Sequence, residues 1–116
     1  MQRPIRILIV SDDDDFAGRV LVRAARRGIT TSLVGSGEDL EVAAFGHGAN
    51  VVVLDADMAP RRRTRAATAF ASAHPDVPVL LATTGPTTAS LAGLPLVEKG
   101  SADAFLRAVR RVRNGH

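Results

Sequence analysis

The 116-residue chain alternates short apolar runs with stretches of helical spacing from one end to the other, and this restricts it to few architectures. Apolar runs of strand length stand at Ile5 to Val10, Thr31 to Val34, Val51 to Leu54, Val77 to Ala82 and Leu94 to Val97. Between the first two, Phe16, Val20 and Ala24 form an i, i+4, i+8 stripe that Gly28 is placed to stop. Ser36 to Ala44 opens with a Ser cap, and Glu38, Asp39 and Glu41 fall in its first turns, where the helix dipole favours acids. Ala67, Phe70, Ala71 and His74 repeat at i, i+3, i+4 and i+7 before Pro75, and Phe105, Val109 and Val112 mark a last helix. Alternation of this kind implies parallel strands joined by right-handed crossovers, with helices on both faces of the sheet. Continuous apolar runs such as VVVL fit strands buried on both sides. No repeat, low-complexity tract or linker interrupts the pattern, so the expectation is a single α/β domain over 1–116 with a five-stranded parallel sheet.

Composition excludes several classes of function. There is no cysteine, which removes disulfides and thiolate metal sites and favours a reducing compartment. No apolar run approaches the ~20 residues that span a bilayer, and the N-terminus lacks the form of a signal peptide; the expected location is the cytoplasm, with no membrane partner. The net charge of +3 comes from fourteen arginines. Most of them fall on outer helix faces (Arg19, Arg23, Arg26 and Arg27; Arg107, Arg110, Arg111 and Arg113), which reads as solvated charge. With four phenylalanines, no tyrosine and no tryptophan, stacking platforms for single strands are missing and direct nucleic-acid binding is not expected. His47, His74 and His116 share no metal-ligand spacing. Gly35-Ser36-Gly37 lacks the third glycine and helix placement of a dinucleotide fingerprint. Against fourteen arginines stands one lysine, Lys99, whose compact ammonium is not interchangeable with a planar guanidinium.

In an open parallel sheet, ligands bind beyond the carboxyl ends of the strands. The first run there delivers Ser11, Asp12 and Asp13, in IVSDDDDF; the third delivers Asp55, in VVVLDADM; the fourth Thr83 and Thr84, in LLATTG; the fifth Lys99, in LVEKG. Hard divalent cations such as Mg²⁺ take carboxylate, carbonyl and water oxygens. A carboxylate beside such a cation can attack a phosphoryl donor to form an acyl phosphate, while an ammonium and a hydroxyl offset charge on the equatorial oxygens. Asp55 is the candidate nucleophile, Asp12 a metal ligand, and Thr83 and Lys99 the phosphoryl contacts. Asp14 and Asp15 are the expected caps of the first helix, and Asp13 lies between the two roles.

These residues, in this order, resemble the receiver domain of bacterial two-component response regulators over nearly the whole chain. RILIVSDDDDF looks like that family's first strand and acidic pocket, VVVLDADM its phosphoacceptor strand, VPVLLATT its switch-threonine strand and LVEKG its lysine strand. The resemblance implies strand order 2-1-3-4-5, phosphoryl transfer from a histidine kinase or phosphotransfer protein onto Asp55 with Mg²⁺, and loss of the group by hydrolysis. It makes Asp12 and Asp55 metal-binding acids with the backbone carbonyl of Asp57, Thr83 the switch hydroxyl and Lys99 the phosphate-contacting lysine; roles for Ser11, Asp13 and Thr84 stay open. Such a domain is a phosphoacceptor rather than an enzyme with turnover on a substrate. A homodimer and a DNA-binding output domain beyond His116 are further partners of this family type.

The departures are specific. Ser11 stands where the family has another acid, so the metal shell loses a carboxylate. Leu96 replaces the aromatic switch partner three residues before the lysine. Gly85 to Gly93 leaves room for only a shortened fourth helix, at ~1.5 Å per residue. Met58-Ala59-Pro60 is one residue longer than the family's Met-Pro, and Arg61-Arg62-Arg63 after it is either a solvated first turn or a contact for an acidic partner or phosphorylated Asp55. These changes also suit a pseudo-receiver that works without phosphate as an interaction module. A more distant alternative is a small phosphatase of the haloacid-dehalogenase kind, with Asp55 as nucleophile and Asp57 as acid/base, although the acidic pair that follows the lysine in that group is lacking.

Overall fold

The computed structural model describes residues 4–35, 37–57, 61–84, 90–91 and 93–114. Its elements, in chain order, are β1 (Arg6–Val10), α1 (Asp14–Arg26), β2 (Thr30–Val34), α2 (Leu40–Gly46), β3 (Val51–Asp55), α3 (Arg61–Ala73), β4 (Val79–Thr83), β5 (Ser90–Leu91), β6 (Leu94–Glu98) and α4 (Ala102–Asn114). The sheet runs β2-β1-β3-β4-β6-β5. The first five strands of that row are mutually parallel, which is the 2-1-3-4-5 order among parallel strands with crossovers on both faces.

Period and burial explain the layers. Alternate residues of a strand face opposite sides. Ile7, Ile9, Val51, Val53, Leu80, Ala82 and Val97 pack on one side with Phe16, Val20 and Ala24 of α1 and Phe105, Leu106 and Val109 of α4. Leu8, Val10, Val52, Leu54, Val79 and Leu81 pack on the other with Leu40, Ala43 and Ala44 of α2 and Ala67 and Phe70 of α3. VVVL is buried at every position, as a strand covered on both faces requires. The edge strand β2 is partly open instead, and its sequence TTSLV is correspondingly more polar.

Two expectations are corrected. Asp39 caps α2, its carboxylate accepting the N–H of Val42 at 2.9 Å; this helix starts later than Ser36, and Ser36 itself lies outside the described residues. Asp13, not Asp14 or Asp15, caps α1, accepting the N–H of Phe16 at 3.1 Å. Asp13 is the last residue with extended backbone (φ −87°, ψ 90°), so its side chain can turn back over the first turn that Asp14 and Asp15 occupy. The shortened helix expected in 85–93 lies largely outside the described residues; within that range Ser90–Leu91 form β5, a two-residue strand antiparallel to β6. Gly93 closes that hairpin with φ 79°, a conformation other residues adopt only under strain. Met58-Ala59-Pro60 lies outside the described residues, and Arg61 to Arg63 begin α3.

Candidate functional site

The carboxyl ends of β1, β3, β4 and β6 converge on Lys99. Its N–H continues the sheet past β6 by donating to the Thr83 carbonyl at 2.8 Å, which aims the side chain into the centre of the edge. Lys99 and Asp55 are the two polar residues buried among the described ones, at 3% and 2% exposed. The ammonium donates to Asp55 Oδ2 at 2.7 Å and to Asp13 Oδ2 at 3.1 Å, and Asp57 Oδ2 lies 3.4 Å away. Below it sits the ring of Phe16, with 5.0 Å from Nζ to the centroid, within cation–π range.

Each carboxylate is held from a second direction. Ser11 Oγ donates to Asp55 Oδ2 at 2.6 Å and accepts the Asp13 N–H at 3.0 Å. Asp55 Oδ1 accepts the N–H of Asp57 at 3.0 Å. Thr83 Oγ1 donates to Asp57 Oδ1 at 2.8 Å, and the Thr84 N–H donates to Asp57 Oδ2 at 2.9 Å. The Phe16 N–H, then Lys99, hold the Asp13 carboxyl below its ordinary range. Burial resists ionisation of Asp57, but Thr83 and Thr84 with Lys99 outweigh it and keep that carboxyl low as well. Burial alone would push the Lys99 ammonium down; Asp55 and Asp13 reverse this and raise it.

The structure therefore brings together Ser11, Asp13, Asp55, Asp57, Thr83, Thr84 and Lys99. Asp12 stands at the same edge but is exposed, and its Oδ1 lies against Gly35 at the end of β2, where an added Cβ would approach to 3.2 Å. Two residues take roles that the sequence left open or assigned otherwise. Asp13 serves both as helix cap and as partner of the lysine. Asp57, singled out for its carbonyl, uses its carboxylate to tie the Thr83 hydroxyl. The i, i+2 spacing of Asp55 and Asp57 carried that second signal, because a turn that brings the Asp57 N–H onto Asp55 also turns its side chain towards β4.

No family model matches the chain, and no curated protein matches its sequence. Solved structures are. The orphan response regulator HP1043 of H. pylori aligns over 94% of this chain and 96% of its own, with 15% identity and a TM-score of 0.75. The chemotaxis response regulator CheY4 of Vibrio cholerae aligns over 95% and 99%, with 18% identity and a TM-score of 0.78. A response regulator receiver domain protein from Bacillus halodurans aligns over 91% and 93%, with 21% identity and a TM-score of 0.59. The chain has the fold of response regulator receiver domains, and at these identities the likeness is one of fold. No described helix is long and apolar enough to cross a membrane.

Proposed function

We propose that the chain is a cytoplasmic signal receiver that accepts a phosphoryl group on Asp55 from a phosphohistidine of a histidine kinase or phosphotransfer protein. The observation that carries this reading is the 2.7 Å contact between Asp55 Oδ2 and Lys99 Nζ: the chain's single lysine is seated on its one buried aspartate among the described residues, at the ligand-binding edge of a receiver fold. One carboxylate oxygen of Asp55 forms the new P–O bond as the P–N bond to the donor imidazole breaks; the imidazole keeps the electron pair. The charge of Lys99, freed from Asp55, then faces the equatorial oxygens, and the Thr83 hydroxyl turns from Asp57 to donate to one of them. Hydrolysis of the acyl phosphate resets the site, so the protein is an acceptor whose only turnover is of its own modification.

The donor chemistry suits a hard cation. The carboxylates of Asp12 and Asp55 and the carbonyl of Asp57 would hold Mg²⁺, which when bound supplies positive charge to the phosphoryl oxygens. Ser11 leaves this shell a carboxylate short, and among the described residues no three acidic or histidine side chains are gathered as ligands. Incubation with acetyl phosphate and Mg²⁺ should add the mass of one phosphoryl group to the wild type and nothing to Asp55→Asn. A wild type that gains no mass, and whose melting temperature Mg²⁺ does not shift, overturns the reading.

A second reading, a phosphate-independent interaction module, is favoured by one observation. The Asp55 side chain is 1% exposed, with both oxygens already bonded within the chain. The same incubation separates the two.

A further inference from the structure

We propose that Phe16 is a positioning residue for Lys99 and, together with Phe105, carries the state of Asp55 to helix α4. Three carboxylates pull on the Lys99 ammonium from Asp55, Asp13 and Asp57; the Phe16 ring adds an uncharged contact 5.0 Å from Nζ. Both partners are desolvated, with the lysine side chain 4% exposed and Phe16 1% exposed, the setting in which cation–π attraction is strongest. The contact also closes a loop. Asp13 accepts from Lys99 at 3.1 Å and from the Phe16 N–H at 3.1 Å, so the residue that binds the ammonium also fixes the turn that carries the ring.

From Phe16 the path leads away from the sheet edge. The edge of its ring meets the face of Phe105, or the reverse, with centroids 5.1 Å apart and planes at 89°. Phe105 is fully buried in the core that α1 and α4 share. Interiors of this density transmit displacement rather than absorb it. Any change at Asp55 alters the pull on Nζ, the ring follows, and Phe105 must give on α4. Among the described residues, the opposite face offers no comparable aromatic contact from the lysine strand: its residue there is Leu96, an aliphatic side chain packed against the α2–α3 core. The two rings thus supply, on the α1–α4 side, an aromatic link between the phosphoryl-site edge and an outer helix.

The signalling use of this link rests on the reading of Asp55 as a phosphoacceptor, but the coupling itself is a property of the unmodified chain. It is tested by amide chemical shifts of the full chain in wild type, Asp55→Asn, Phe16→Leu, Phe105→Leu and the two doubles with Asp55→Asn. Asp55→Asn should shift the amides of α4 from Ala102 to Val109 in the wild-type background. That response should fall at least twofold in the Phe16→Leu and Phe105→Leu backgrounds, while the response of the Ser11 and Asp57 amides to Asp55→Asn persists. A merely structural ring would move the starting shifts but not the difference made by Asp55→Asn. Phe105→Leu keeps the Lys99 contact, so the relay remains testable if Phe16→Leu does not fold. An α4 response of undiminished size in either background overturns the proposal. Absence of acetyl phosphate labelling would sink the acceptor reading and leave this result standing.

Discussion

Replacing Lys99 with methionine tests the charge balance of the site directly. The substitution keeps an unbranched apolar stem of similar length and removes the ammonium from Asp55, whose side chain is 1% exposed. Breaking a buried ion pair from one side costs ~3–5 kcal/mol because the remaining charge is stranded. Asp55 retains the Ser11 hydroxyl at 2.6 Å and the Asp57 N–H at 3.0 Å, which places the cost at the low end. Asp13 and Asp57, at 34% and 29% side-chain exposure, are near enough to water that losing the lysine adds little there. The expected loss is therefore ~3 kcal/mol at neutral pH, a fall of ~12 °C in melting temperature for a domain of this size. Asp55→Asn alone should cost ~1 kcal/mol, since Lys99 keeps two carboxylates and the amide keeps hydrogen-bonding partners. The double variant strands no charge and should cost ~2 kcal/mol less than the sum of the singles. Urea unfolding of all four proteins measures this coupling. A Lys99→Met cost below ~1 kcal/mol, or additivity within ~0.5 kcal/mol, refutes the view that the lysine neutralises Asp55.

Stability should also follow pH in a set direction. Asp13 and Asp57 bind protons more weakly folded than unfolded, so their contribution is present above the ordinary carboxylate range and is lost as pH falls through their lowered values; Lys99, held high, contributes below the ordinary lysine range and is lost only as pH rises above it. A melting temperature that rises on acidification through the carboxylate range contradicts this. Ser11→Asp should lower the melting temperature in chelator, because it adds a carboxylate beside Asp55, and should enlarge the stabilisation by Mg²⁺ relative to wild type; an equal Mg²⁺ effect in both proteins contradicts the assignment of that corner as the metal shell.

The parallel strands and their faces were legible because each depends on many residues. VVVL and ILIV can be buried on both sides only in a covered parallel sheet, and the Phe16, Val20, Ala24 stripe can face only one core. The convergence of Asp55, Thr83 and Lys99 was legible for the same reason, since topology alone brings strand ends together. Features fixed by a single dihedral or a single bond were not. Four consecutive aspartates are chemically identical, and the choice of Asp13 as cap is made by where the backbone leaves the extended region. Asp39 takes the α2 cap within a stretch where several residues could do so. The hairpin of β5 needs two residues and a left-handed Gly93, too little pattern for periodicity to register.

The role of Ser11 follows from counting charge around Lys99. Asp13, Asp55 and Asp57 place three carboxylates about one ammonium, leaving an excess of negative charge at a largely buried point. An acid at residue 11 would enlarge that excess and repel Asp55, keeping the carboxylate open until a divalent cation arrived. A serine has the opposite effect. Its hydroxyl donates to Asp55 Oδ2 and accepts from the Asp13 backbone, so it joins β1, β3 and α1 across the site without adding charge. Asp55 is thereby satisfied without a cation, at the cost of accessibility: with its side chain 1% exposed and Oδ2 held by both Ser11 and Lys99, a phosphoryl donor reaches that oxygen only when one of them moves. The acceptor reading requires that opening at Oδ2, and the interaction-module reading does not. On the acceptor reading, Ser11 and Lys99 together set how readily Oδ2 is exposed, and Ser11 is the one of the two that adds no charge.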